Sequence, residues 1–163
     1  MLSVIRLDAF RDRFPAPAER DRLATYAEGI GPRVLAAQEM EQIKAECVEE
    51  CMTQIRRLYP NIPRFHASGF EKGTRDNTLL LEYMTKCMLL DDVKLLDEQV
   101  LTWVRTLFKS FNFTPKFMRD NFTLLREAVR QRAKPRTYTL MEPYLNHTIE
   151  YLSDIPEPVR PEV

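Results

Sequence analysis

Between positions 72 and 76 the chain reads Lys72-Gly73-Thr74-Arg75-Asp76, which places an ammonium, a guanidinium and a carboxylate side by side. The run that follows, Leu79, Leu80, Leu81, Tyr83, Met84, Cys87 and Met88, recurs at helical spacing. Thr74 is therefore expected to cap a helix, with the charged groups in its first turn. Asp76 suits the positive end of that helix, whereas Arg75 opposes it. A small acidic ligand could dock at such a mouth, and the planar fork of Arg75 is the better carboxylate clamp. The plain alternatives are a first-turn helix acid at Asp76 and solvated surface cations at Lys72 and Arg75.

Other chemistry finds little support. Cys47 and Cys51 lie four apart on one helical stretch, a geometry that does not favour a disulfide, and neither His66 nor His147 is near them in sequence. Reduced, buried thiols are the expectation, and no metal site is assigned. The chain has no Gly-rich phosphate loop, no Gly-x-Ser-x-Gly and no His-Glu-x-x-His, so it is read as non-enzymatic. Pairs such as Glu49-Glu50 and Asp91-Asp92 read as solvated helix faces or turns.

The elements that must position the pentad are helical throughout. Only four glycines interrupt the chain, and the apolar period stays near 3.6 with no alternating strand-like run, so the class is all-α. A first helix is expected from Leu2 to Arg13, ending before Phe14-Pro15-Ala16-Pro17. A second runs from Ala18 to Glu28, before Gly29-Ile30-Gly31. A third starts with Pro32 in its first turn and continues to Leu58. Tyr59-Pro60-Asn61-Ile62-Pro63 stops it, and the segment on to Gly73 has no clear period, making it the longest irregular connection. After the helix opening at Thr74, Asp91-Asp92 marks a turn. Leu95, Leu96, Val100, Trp103, Val104, Leu107, Phe108 and Phe111 form the next helix, and Thr114-Pro115 caps one running to Arg132. A last helix spans Arg136 to Ser153, and residues 155–163 read as a mobile Pro-rich tail. Seven helices with a long connection before the fourth suit a globin-type packing.

Size and charge bound the function. At 163 residues the chain is one domain, able to bury roughly 70% of its unfolded surface. With 24 basic and 24 acidic residues it has no global field to recruit nucleic acid or an anionic membrane. No stretch approaches the roughly 20 apolar residues that span a bilayer, and the N-terminus lacks a signal-like core. A cytoplasmic protein is expected.

The pentad resembles the Lys-Cys-Ala-Arg-Asp motif of the phycobiliproteins, whose cysteine carries a linear tetrapyrrole (bilin). There the Arg and Lys meet the propionates and the Asp accepts the pyrrole N–H bonds. In this chain Gly73 stands at the cysteine position. The similarity extends over residues 10–154. Glu19-Arg20-Asp21-Arg22-Leu23 and Arg33-Val34-Leu35-Ala36-Ala37 resemble the segment joining the family's N-terminal hairpin to its first globin helix. Leu96-Asp97-Glu98 is similar to the family's acidic helix start. Phe111-Asn112-Phe113-Thr114-Pro115-Lys116-Phe117 resembles its Phe-Glu-Leu-Ser-Pro-Ser-Trp, and Tyr144-Leu145-Asn146-His147-Thr148-Ile149 its Tyr-Leu-Asp-Tyr-Ala-Ile. The resemblance implies one globin-like domain over residues 1–154, with a helical hairpin in residues 1–30.

The departures shape the functional expectation. Light-harvesting members follow Arg-Asp with two aromatics and Leu-Arg, where this chain has Leu79-Leu80-Leu81-Glu82. The closer relatives in spirit are the bilin biosynthesis-associated globins. The resemblance thus implies a bilin of biliverdin or phycocyanobilin type, held without a covalent bond. Lys72 and Arg75 would sit on its propionates, Asp76 on its pyrrole nitrogens, and Phe117, at the position of the family's Trp, against a ring face. Cys87 lies too far along its helix to replace the lost anchor. The central helices from Thr74 to Arg132 hold no histidine, so haem is not expected. Implied partners are the linear tetrapyrrole, bilin biosynthetic enzymes, and a second copy docking through the hairpin with Ile5, Phe10, Phe14, Leu23 and Tyr26. The alternative is a ligand-free globin-fold scaffold that dimerises or docks a partner. A slot plugged by Leu79, Leu80 and Phe65 would favour it.

Overall fold

The computed structural model describes residues 14–158 apart from residue 66. The expected helix from Leu2 to Arg13, with Ile5 and Phe10, the side chain of Phe65, and His66 lie outside the described residues. Among the described residues every regular element is helical. In order they are α1 (Pro17–Leu58), α2 (Ile62–Phe65), α3 (Gly69–Leu90), α4 (Val93–Leu96), α5 (Thr102–Ser110), α6 (Pro115–Arg132) and α7 (Pro135–Ser153). A π turn over Asp97–Leu101 joins α4 to α5.

The apolar stripes explain the packing. Met40, Cys47, Val48, Cys51, Met52 and Ile55 fall on one side of α1 and are buried, as are Leu80, Leu81, Met84, Cys87 and Met88 of α3. Helix α1 lies chiefly against α3 and α6, while α7 covers α6 and also reaches α1 and α3. Met118, Phe122, Leu125 and Val129 of α6 and Met141, Leu145, Ile149 and Leu152 of α7 complete one core. The arrangement is an all-α packing of the long helices around that core.

Two expected boundaries are corrected. The second and third helices are one: α1 runs unbroken for 42 residues, about 63 Å, through Gly29, Gly31 and Pro32. Proline inside a helix costs about 3 kcal/mol because it lacks an N–H and crowds the preceding turn. Tertiary contacts offset that cost. The Arg33 guanidinium, against which Gly29 packs, pairs with Asp91 at 2.9 Å, lies over the Tyr26 ring and donates to the Tyr26 carbonyl at 3.4 Å. The Tyr26 hydroxyl in turn donates to the Leu89 carbonyl at 3.4 Å. The N-terminal third of α1 is thereby tied to the C-terminal end of α3.

The second correction concerns the pentad. Helix α3 starts at Gly69, so Thr74 is not its cap. The Thr74 hydroxyl donates back to the Phe70 carbonyl at 3.0 Å, and Lys72 N–H reaches the Ser68 carbonyl at 3.0 Å. Phe70, packed on the core with Arg56 over its ring, gives the extra turn a reason to form. The irregular connection is correspondingly shorter and holds the single turn α2.

Other stops behave as the sequence suggests. Asp91 adopts the left-handed conformation (φ 55°), and the Asp92 N–H closes onto the Cys87 carbonyl at 3.0 Å, ending α3. Thr114 caps α6 by accepting the Phe117 N–H at 3.1 Å. At the other end of the chain, Ile155, read as the first residue of the tail, is buried in the core, and Asp154 pairs with Arg105 at 2.6 Å.

Candidate functional site

A cleft opens where α1, α3 and α6 converge beneath α2 and the α5–α6 connection. Met52, Ile55, Ile62, Gly69, Phe70, Lys72, Gly73, Asp76, Asn77, Phe108, Phe111, Phe113, Phe117, Met118 and Asn121 line it, around a volume of about 90 Å³. Lys72 and the 40% exposed Phe111 are the exposed members of that lining and mark the mouth.

One wall is aromatic. Phe113 stacks on Phe117 with ring centres 4.9 Å apart, and Phe108 meets Phe113 edge-on at 5.6 Å. The Tyr59 ring stands edge-on to Phe117 at 5.0 Å. Tyr59 is fixed in turn by its hydroxyl, which donates to Asp120 Oδ2 at 2.5 Å, and the Lys116 ammonium also pairs with Asp120. Burial would push the Asp120 carboxyl upward, but the Lys116 ammonium and Tyr59 hydroxyl outweigh it and hold it below the usual carboxylate range. Burial and the bond to Asp120 push the Tyr59 phenol up. Both groups stay in their bonding forms at neutral pH, so the wall behind Phe117 is held by polar as well as apolar contacts.

The sequence-assigned residues are not all brought together. Lys72, Asp76 and Phe117 line the cleft. Arg75 does not: its side chain is 75% exposed and folds onto the carboxylate of its neighbour Asp76 at 3.3 Å. Gly73 sits at the cleft edge in helical conformation, and a Cβ built there would meet the Met52 methyl at 3.0 Å. Met52 of α1 thus fills the space that a side chain at position 73 would need. Leu80 is buried in the core and Leu79 is partly exposed, and neither lines the cleft.

Sequence reasoning missed the floor. Asn77 and Asn121, one from α3 and one from α6, exchange side-chain hydrogen bonds at 3.1 and 2.8 Å. Only their positions on otherwise apolar helix faces could have signalled them. None of the cysteines lines the cleft, although the Cys51 thiol donates to the Asn121 carbonyl at 3.4 Å beneath the floor, and all three are inert. Cys47, Cys51 and Cys87 are buried, and burial pushes their thiols up to about 11, 12 and 11. Among the described residues no group of ligating side chains could hold a metal ion, and no helix is long and apolar enough to cross a membrane. His147 donates to or accepts from Asp97 at 2.5 Å, at the π turn and away from the cleft.

Fold and cleft together define a globin-like all-α domain with an aromatic-walled slot between its long helices. The family model of the phycobilisome proteins matches residues 4–152, nearly the whole length, and the chain belongs to the phycobilisome protein family. Proteins of this family are carriers of bilin chromophores and assemble into oligomers; they are pigment proteins, not enzymes. A search of curated proteins gives no match.

Proposed function

We propose that this protein is a non-enzymatic bilin carrier that binds a linear tetrapyrrole without a covalent bond and releases it, as an accessory to bilin biosynthesis in the cytoplasm. The observation that carries the reading is the cleft itself: an aromatic wall ending in Phe117, with Lys72 and Asp76 at one rim and no reachable thiol. Bound there, a bilin would supply a conjugated apolar body with propionates and N–H groups. Lys72 would neutralise a propionate, Asp76 would accept pyrrole N–H bonds, and Phe117 would lie against a ring. Arg75 reaches the propionates only by leaving Asp76, which its exposure allows at little cost.

The chemistry of the lining fits the chromophore, and the small volume limits how. About 90 Å³ is well below the roughly 300–1,000 Å³ of sites that engulf a small molecule. A bilin would place one end inside and lay the rest across the mouth. Partial burial without a thioether gives weaker retention, since apolar contact contributes roughly 25 cal/mol per Å². Exchange is what a carrier requires. Met52 and Met118 line the slot, and their flexible thioethers can repack around a guest.

The test is titration of the purified protein with biliverdin and with phycocyanobilin, read by absorption and gel filtration. A red-shifted, structured band co-eluting with protein is expected, and Asp76→Asn should blunt the shift more than the affinity. Free pigment eluting alone would end the proposal. A second reading, the ligand-free dimerising scaffold, draws on one observation: among the described residues Ile30, Val34 and the 67% exposed Leu35 place three apolar side chains close together on the surface of α1. A homodimer through this segment would show as a concentration-dependent mass, and a monomer at high micromolar concentration would count against it.

A further inference from the structure

The floor of the cleft is a pair of buried side-chain amides with capacity to spare. Asn77 Nδ2 donates to Asn121 Oδ1 at 3.1 Å and to the Met52 sulfur at 3.2 Å, which uses both of its hydrogens. Asn121 Oδ1 also faces the Cys51 thiol at 3.9 Å. Asn121 Nδ2 makes one bond, to Asn77 Oδ1 at 2.8 Å, and that oxygen accepts no other. A primary amide has two donors and two acceptor lone pairs. One N–H of Asn121 and one lone pair of Asn77 are therefore unused, although the residues are only 7% and 3% exposed. Each of these atoms already has one partner and keeps room for one more. The two atoms concerned are the 2.8 Å pair itself, so the spare donor and the spare acceptor stand side by side.

A guest that presents an acceptor next to a donor satisfies both at once. A ring lactam does so, its C=O and N–H lying on adjacent atoms of one edge. The remaining lining here is apolar and aromatic, including Ile55, Met118, Phe108 and Phe113, which suits the ring body. The volume of about 90 Å³ is smaller than the about 150 Å³ of a cavity that holds benzene, so a ring enters as the flexible Met52 and Met118 side chains that line the slot move aside. We propose that Asn77 and Asn121 form a lactam-recognition site that takes one terminal ring of an open-chain tetrapyrrole onto the floor of the cleft. The ring N–H donates to Asn77 Oδ1, and the ring carbonyl accepts from Asn121 Nδ2. This rests on the pigment-binding reading and deepens it: the site selects open-chain tetrapyrroles, which end in lactam rings, over haem, a closed macrocycle that has none.

The probe is 3-pyrrolin-2-one, with its N-methyl derivative as control. Each is titrated into the full chain while the side-chain NH₂ resonances of Asn77 and Asn121 are followed in nitrogen–proton correlation spectra. The N–H lactam is expected to shift both pairs saturably, and N-methylation to weaken binding about tenfold, the effect of losing one hydrogen bond. No shift, or equal binding of the two compounds, overturns the site. A second arm measures biliverdin binding to the Asn77→Leu/Asn121→Leu double variant, in which both partners are replaced by apolar groups of similar shape. A loss of tenfold or more in affinity with the helical signal intact supports the site. Undiminished binding overturns it and leaves the carrier reading standing. Lactam binding without any biliverdin binding by the unaltered chain overturns the carrier reading and the tetrapyrrole as the guest, and leaves the amide pair as a site for a lactam alone. If the double variant does not fold, the N-methyl comparison on the unaltered chain decides.

Discussion

Replacing Gly73 by cysteine returns a thiol to the position where phycobiliproteins attach their pigment, and the structure fixes what that should cost. Gly73 lies inside α3 with helical rather than left-handed φ, so any side chain fits the backbone, and leaving glycine gains a few tenths of a kcal/mol of helix propensity. Against this, the new Cβ meets the Met52 methyl at 3.0 Å. Moving the end of a flexible thioether off its preferred rotamer costs about 0.5–1.5 kcal/mol. The two nearly cancel, and Gly73→Cys should unfold within about 1 kcal/mol of the parent. Its reactivity should differ far more. The three natural thiols are buried and raised to about 11 to 12, whereas a thiol at the cleft edge should ionise near the ordinary value of about 8.5. Thiolate fraction alone then separates them about 300- to 3,000-fold. Native-state thiol titration at pH 7.5 should find one fast equivalent in the variant and none in the parent, and denaturant should release three more. Fast labelling of the unaltered native chain would refute the burial of its thiols, and a loss above about 2 kcal/mol in the variant would refute the expectation that the Met52 methyl gives way.

Three further outcomes follow from the packing. Glu39 accepts the Lys134 N–H at 2.7 Å and the Thr137 hydroxyl at 2.8 Å, capping α7 from α1, so Glu39→Ala should cost about 1–2 kcal/mol in thermal unfolding. Burial raises the Glu39 carboxyl and these bonds more than reverse it, so its folded value is lowered; its contribution is complete above about pH 4.3 and is lost as the pH falls through the folded value, a loss the variant should not show. The buried thiols act at the alkaline end: above about pH 8.5 the unfolded chain releases thiol protons that the folded chain keeps, so stability should fall by up to about 1.4 kcal/mol per pH unit for each thiol, and Cys51→Ala should flatten the slope measured by urea unfolding. Tyr59→Phe keeps the ring against Phe117 but removes one donor from Asp120; about 1 kcal/mol is lost, and the Asp120 carboxyl, followed by NMR titration, should move up toward its ordinary range while Lys116 still holds it below.

The candidate site was legible where one stretch of chain carries it and illegible where two helices make it. Lys72 and Asp76 could be read because the pentad is contiguous, and Phe117 because it follows the Thr114-Pro115 cap at the family's Trp position. The exposed turn of Arg75 onto Asp76 could not be read, since its partner is chosen by which face of α3 meets α1 and α6. Asn77 and Asn121 are 44 residues apart, and each alone resembles an ordinary polar residue on a helix. Their pairing exists only because α3 and α6 bring both amides to one buried point.

By itself the sequence determined what depends on short-range energetics. The apolar period set the all-α class, Asp91 and Thr114 punctuated helices through left-handed and capping geometry, and Gly73 removed the anchoring thiol. Tertiary structure decided the rest. Propensity places a break at Gly29–Pro32, yet Arg33 finds Asp91 and the Tyr26 hydroxyl finds the Leu89 carbonyl across the fold, and α1 continues. Thr74 has a good capping side chain, yet the burial of Phe70 starts α3 a turn and more earlier. In each case a local preference of about 1–3 kcal/mol was outweighed by contacts with residues tens of positions away, which the local pattern of the chain does not encode.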